Sequence, residues 1–201
     1  MKKSILKLMA MVLLLATIIL TLGSCSYDVY VVEIKVKDYG TITVELDATS
    51  APATVANFIS LVKADFYDGL TFHRVKENFM IQGGCPKGDG TGDGPNTIPG
   101  EFSANKFYSN NISHVRGVIS MARGNDMNSA SCQFFITNAD ARSSLDGSYA
   151  AFGYVIDGMD VVDAITKKTG PLGDPKSYTI ADKSKQAVIE DIVIVKQYNI
   201  D

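Results

Sequence analysis

The sequence predicts a mainly-β protein whose antiparallel strands close on themselves, with two helices packed against them. Three observations carry this. Apolar residues fall in many short stretches bounded by turn residues. Only two stretches repeat with the period of a helix. Strands and helices do not alternate along the chain, as they would in a parallel α/β sheet. The 201 residues suit one compact domain, and 46% are hydrophobic, enough for a core. No internal repeat or dividing linker stands out.

The elements follow in order. Val32, Ile34 and Val36 alternate with Glu33, Lys35 and Lys37, as in a half-buried strand. Asp38-Tyr39-Gly40 is a turn, and Ile42, Val44 and Leu46 form the antiparallel partner. Val55, Phe58, Ile59 and Val62 then lie on one helical face, which predicts a helix near Pro52 to Lys63. Ser50 is its expected N-cap, with Pro52 in the first turn, where proline is tolerated. Residues 83–100 are almost all Gly, Pro, Asp, Asn and Thr and form a long loop, ordered or flexible. Gly117–Met121, Gln133–Thr137 and Ala150–Ile156 read as buried strands. Met159, Val162 and Ile165 suggest a second short helix, and Val188–Val195 a closing strand.

The formal net charge is −3. Lys2, Lys3 and Lys7 are the only charges in the first 24 residues, so removing those leaves 16 basic against 22 acidic residues, about −6. No basic patch stands out, which argues against nucleic acid as a partner.

The N-terminus reads as an address. A basic head is followed by an uncharged run from Leu8 to Leu22 and then Leu22-Gly23-Ser24-Cys25. The run fits a secretory signal and is short for a membrane span. Leu-Gly-Ser-Cys resembles the lipobox of bacterial lipoproteins, which implies cleavage before Cys25 and acylation of its sulfur. The alternative is a simple signal anchor with an incidental Cys25. The expected organisation is a signal peptide over 1–24, a lipid-anchored tether over 25–29 and a domain over 30–201. Ser26 to Val29 span at most roughly 15 Å, which would hold the domain against the extracytoplasmic face of a bacterial membrane.

Five motifs carry the chemistry: Phe72-His73-Arg74-Val75, Phe79-Met80-Ile81-Gln82-Gly83-Gly84, Ser120-Met121-Ala122-Arg123, Gln133-Phe134-Phe135-Ile136, and Ser144-Leu145-Asp146-Gly147 through Gly153. In this order and spacing they resemble the cyclophilin family of peptidyl-prolyl cis–trans isomerases, across nearly all of residues 31–197. The resemblance implies an eight-stranded antiparallel β-barrel with a helix capping each end. It places a substrate groove on the outer face of the barrel. The expected partners are unfolded or extended polypeptides containing proline, the expected state a monomer, and the expected role the folding of exported proteins. The alternative is a non-catalytic chaperone or adaptor using the same groove.

The chemistry can be argued independently. Rotation about a peptide bond meets a barrier of about 18–20 kcal/mol. Twisting the X–Pro amide frees the lone pair of the prolyl nitrogen, so a fixed donor aimed there stabilises the twisted state selectively. No bond is broken, and no metal or cofactor is required. Arg74 suits the donor role. By the resemblance, Phe79, Met80, Phe135 and Leu145 seat the proline ring, and Gln82 holds a substrate carbonyl. Ala122 and Arg123 offer backbone groups, Gln133 adds a polar position and Tyr149 lines the pocket. His73 should point away from Arg74 by strand alternation and reads as a structural or rim residue.

Ser144 stands where many family members have a Trp that helps bind cyclosporin, so weak inhibition is expected. Tyr149 replaces a common His, and Arg123 a common Asn. Asp89-Gly90-Thr91-Gly92-Asp93-Gly94 opens like a calcium loop, but its twelfth position is Gly100, with Glu101 one residue late. There is no Gly-x-Ser-x-Gly elbow for a hydrolase and no Cys-x-x-Cys for zinc. Cys85 and Cys132 could pair as a disulfide or remain free.

Overall fold

The computed structural model describes residues 27–200. The leader and Cys25 lie outside the described residues. The strands are β1 (Val29–Val36), β2 (Gly40–Asp47), β3 (Thr71–Lys76), β4 (Met80–Gly83), β5 (Val118–Met121), β6 (Phe134–Thr137), β7 (Ala151–Asp157) and β8 (Ala187–Tyr198). The helices are α1 (Pro52–Lys63), the single turn α2 (Arg142–Leu145) and α3 (Met159–Thr169). All strand pairs are antiparallel, and the barrel closes in the order β1-β2-β7-β5-β6-β4-β3-β8.

The alternation read in β1 and β2 sets their register. Val32 faces Val44 and Ile34 faces Ile42, all fully buried inside the barrel. Phe58 of α1 reaches into the same core, with ring centroids 5.1–5.5 Å from Tyr67, Phe134 and Phe152. The interior is therefore filled by side chains, as a barrel of this size requires. Helices α1 and α3 close opposite ends. α1 follows the Asp47 end of β2, whereas α3 packs Val161 beside Gly40, where β2 begins. Gly158, left-handed at φ +86° and set against the Thr41 backbone, makes the turn into α3.

The structure corrects several local expectations. β1 starts at Val29, inside the segment read as tether. Ser50 does not cap α1: the N-cap is Ala51, without a side-chain cap, and the Ser50 hydroxyl donates to Asp47 Oδ2 at 2.6 Å. The helix start is held from 47 residues away. Buried Glu101 accepts from the N–H groups of Ala53 and Thr54 at 2.9 and 2.8 Å, and from the Thr54 hydroxyl at 2.7 Å. A carboxylate there also meets the positive end of the helix dipole. This is the glutamate that fell one place late for a calcium loop.

Strands β3 and β4 lack a readable period. β4 has four residues, and in β3 a register shift between Phe72 and Arg74 interrupts the alternation. β8 runs from Ala187 to Tyr198, longer at both ends than its apolar stretch, and α3 extends to Thr169. The loop over 83–100 is ordered. Gly88 O accepts from Gln186 Nε2 at 2.8 Å, and Gly94 N–H donates to Ser131 Oγ at 2.7 Å.

Removing the Glu101 carboxylate strands three donors at the start of α1. Glu101→Ala is expected to cost about 2–3 kcal/mol, and Ser50→Ala less than about 1 kcal/mol, in urea denaturation.

Candidate active site

Strand alternation builds the site on the outer wall of the barrel. On β4, Ile81 enters the core while Met80 and Gln82 face out. On β6, Phe134 and Ile136 enter the core and Phe135 faces out. The shift on β3 takes Phe72 opposite Gly83 and Arg74 opposite Gln82. Two residues of β3 thus answer one step of β4, which leaves Arg74 beside Gln82 on the outer face.

The outward side chains form a second apolar cluster, separate from the barrel core. Met80, Phe135, Ala141 and Leu145 are buried together, with Phe79, Ala122 and Tyr149 against them. Tyr149 meets Phe135 edge to face at 5.9 Å. Leu145 arrives from α2.

A polar chain runs beside this cluster. Arg74 Nη1 donates to Gln82 Oε1 at 2.9 Å, and Gln82 Nε2 donates to Gln133 Oε1 at 3.0 Å. Gln133 Nε2 then donates to the carbonyls of Gly90 and Gly92 at 3.0 and 2.9 Å. The orientation of both amides is fixed, because a guanidinium only donates and a carbonyl only accepts. Arg74 Nε donates to Ser177 O at 2.9 Å, which holds the guanidinium at two points. Burial lowers the Arg74 pKa from its usual value, but an arginine stays charged at any physiological pH.

A groove of about 460 Å³ joins the two sets. Arg74, Phe79, Met80, Gln82, Ala122, Arg123, Phe135, Leu145 and Tyr149 line it, and His73, expected as a structural or rim residue, lies fully buried behind its wall. Gln133 lies in a neighbouring pocket of about 310 Å³ that shares Gln82, Thr91, Ala122 and Arg123. The Ala122 N–H is not free for a ligand, since it donates to Gln133 O at 2.9 Å. The Arg123 guanidinium sits over the Tyr149 ring at 4.9 Å and donates from Nε to Ser148 O at 3.0 Å, so its charge steadies the wall.

Sequence reasoning missed Asp89, Gly90, Thr91 and Thr179 in the groove lining. The Gly-rich run was the available signal. Asp89 Oδ1 accepts from both the N–H and the hydroxyl of Thr91 at 2.8 Å, a local turn. Cys85 Sγ accepts from the Gly90 and Gly92 N–H groups at 3.2 and 3.3 Å, so a sulfur anchors the loop from below. Cys85 and Cys132 are both free and buried, and burial first, then Cys85, pushes the Cys132 thiol up to about 11. Gly84 packs its backbone closely against Cys132 and Tyr67. At φ +79°, a Cβ there would stand 2.8 Å from Cys132 O and 2.9 Å from Tyr67 Cε1.

A family model described as cyclophilin type peptidyl-prolyl cis-trans isomerase/CLD matches residues 31–197. A peptidyl-prolyl cis-trans isomerase of Synechococcus elongatus is 44% identical over 118 residues, covering 59% of this chain and 75% of the relative. Peptidyl-prolyl cis-trans isomerase A of Dickeya dadantii is 38% identical over 157 residues, covering 74% and 80%. A crystal structure of a Cryptosporidium parvum cyclophilin type isomerase, obtained in the presence of the dipeptide Ala-Pro, superposes with a TM-score of 0.70 at 30% identity, covering 83% of this chain and 99% of that one.

His73 is fully buried, and neither ring nitrogen has a partner among the described residues. Burial lowers its pKa from 6.5 to about 4. Protonation therefore favours the unfolded chain, whose His titrates near the ordinary value. The penalty is absent above pH 6.5 and grows as pH falls towards 4. Urea midpoints at pH 7 and pH 5 should show the parent losing about 2 kcal/mol more than His73→Leu.

Proposed function

We propose, for a chain that belongs to the cyclophilin-type peptidyl-prolyl cis–trans isomerase family, that Arg74 is the group that lowers the barrier to X–Pro rotation. The chain is an isomerase. The observation that carries the specific role is the fixed guanidinium, tied to Gln82 and Ser177 beside the cluster of Met80, Phe135 and Leu145.

The cluster takes the proline ring, which is apolar and has no N–H to satisfy. With the ring seated, the prolyl nitrogen lies towards Arg74. In the planar amide that nitrogen shares its lone pair with the carbonyl and accepts poorly. In the twisted amide the lone pair returns, and the Nη2 end of Arg74 donates to it. The interaction is stronger in the twisted state than in either planar isomer, which makes it catalytic rather than merely binding. Gln82 serves twice, orienting Arg74 through its carbonyl and standing beside a substrate carbonyl. Because Gln82, Gln133 and the Gly90–Gly92 loop are already bonded to one another, little reorganisation is needed at the moment of twisting. His73 supports the strand from beneath and has no direct role. The Ala-Pro dipeptide used with the Cryptosporidium relative supports a substrate of this class.

The same proposal extends to place. A leader over 1–24 and an acylated Cys25 would put the enzyme on the outer face of a bacterial membrane, acting on exported chains. The described chain is held from Tyr27, whose N–H donates to the Tyr30 hydroxyl at 3.2 Å and whose ring meets that of Tyr30 edge to face at 5.8 Å. Only Ser26 then separates Cys25 from held structure, a tether shorter than the sequence suggests. The groove spans β6, β4 and β3, which stand four, three and two strands from β1 round the barrel.

Two experiments test these points. Arg74→Ala should lower kcat/KM about a hundredfold or more on an Ala-Pro peptide while leaving the fold intact. A parental rate would remove Arg74 from the mechanism. Metabolic labelling with a fatty acid should mark the parent and not Cys25→Ser, and the variant should leave the membrane fraction; label retained by Cys25→Ser would overturn the anchor.

A further inference from the structure

His114 lies between the Gly-rich loop and β5, and no step above uses it. Every polar atom of this residue is bonded. Its carbonyl accepts from the N–H of Ala141, the N-cap of α2, at 2.9 Å. Its backbone N–H and ring Nδ1 both reach Oδ1 of Asp146, the C-cap of α2, at 2.8 Å. Its Nε2 lies 2.9 Å from the Ser120 hydroxyl.

The proton positions follow from the partners. Burial alone would raise Asp146, but the N–H groups of His114 outweigh it and hold the carboxyl below its ordinary value. An ionised carboxylate only accepts, so the ring proton sits on Nδ1 and Nε2 accepts from Ser120. Burial keeps the ring neutral. Ser, His and Asp in this array look like a hydrolytic triad. Ser120 is completely buried, however, and its hydroxyl meets no groove. The array is a brace.

What it braces is the seat. Helix α2 has four residues, too few to persist through its own hydrogen bonds. Both of its ends are fastened to one residue, His114. The His114 ring also lies nearly parallel to Phe135, at 18° and 6.1 Å between centroids. Leu145 on α2 and Phe135 on β6 belong to the same buried apolar cluster.

We infer that His114 is a positioning residue for the isomerase. By clasping both ends of α2 and backing Phe135, it sets the spacing between Leu145 and Phe135 and hence the fit of the proline ring. This rests on the reading of that cluster as the ring's seat. A positioning role of this kind acts on binding of the ring in every state, planar or twisted. It should therefore appear in KM and leave kcat, which depends on Arg74, nearly untouched.

Exchange NMR on an Ala-Pro peptide, with full-length protein in detergent, separates the two constants. His114→Ala is expected to raise KM about tenfold with kcat within about twofold of the parent. His114→Asn, whose amide N–H can stand in for Nδ1–H, should recover part of that loss. Asp146→Ala, which opens only the C-terminal clasp, should raise KM about threefold. A folded His114→Ala or Asp146→Ala protein with parental KM would overturn the inference, as would a loss confined to kcat. If His114→Ala does not fold, Asp146→Ala, at an exposed position, decides alone. Arg74→Ala run alongside separates the two ideas, because parental turnover in that variant counts against the donor and leaves the clasp to be judged by KM.

Discussion

Closure of the antiparallel ladder is the constraint from which the site follows. Once Phe134 and Ile136 must fill the barrel, Phe135 between them has to face out, and the same holds for Met80 and Gln82 around Ile81. A one-residue slip on β4 or β6 would bury Gln82 and expose core. The register that protects the core therefore also presents the groove, and neither can be lost alone. The register shift on β3 sets Arg74 beside Gln82 and leaves the ring nitrogens of His73 buried with no hydrogen-bond partner among the described residues. That is a cost of the order of an unmet polar group, borne in a wall that the barrel holds from both sides.

Preorganisation is spread over two independent systems. The polar one runs from Ser177 through Arg74, Gln82 and Gln133 to the Gly90–Gly92 loop, which the Cys85 sulfur anchors from beneath. The apolar one is the cluster of Met80, Phe135 and Leu145, the proposed seat, with His114 stacked on Phe135 and bonded to both ends of α2. In the proposed mechanism one system would address the nitrogen that changes character during rotation, and the other the ring that does not. An isomerase that makes and breaks no bonds has little else to arrange. Long-range polar contacts recur throughout: Glu101 holds α1, Gln133 holds the loop, and Asp146 holds His114. Short elements and long connections are stable here because their free backbone groups find side chains from elsewhere.

Placement at a membrane would add a geometric condition. The chain is held from Tyr27, and the groove spans β3, β4 and β6, two to four strands from β1. A short anchor would then hold the barrel, and with it the groove, near the lipid, within reach of chains emerging beside it.

The sequence by itself determined the parts governed by nearest neighbours. The alternation of β1 and β2, the helical face of α1 and the ordered series of motifs needed no tertiary information, because period and spacing are local properties. Arg74, Phe79, Met80, Gln82, Phe135, Leu145 and Tyr149 were legible as a group through the resemblance of those motifs to the family, and the folded chain brings them to one groove. Other features depend on partners remote in sequence. Ser50 looked like a cap, but Glu101 reached the helix instead. The Gly-rich segment read equally as ordered or flexible until Gln186, Ser131 and Cys85 were seen to hold it. Helix α2 has no signal in four residues, since its two ends close on His114 rather than on each other. Ala122 looked free to pair with substrate, but Gln133 had already taken its N–H. Period places a side chain on a face, while its hydrogen-bond partner is chosen only when the barrel closes and distant segments compete for it.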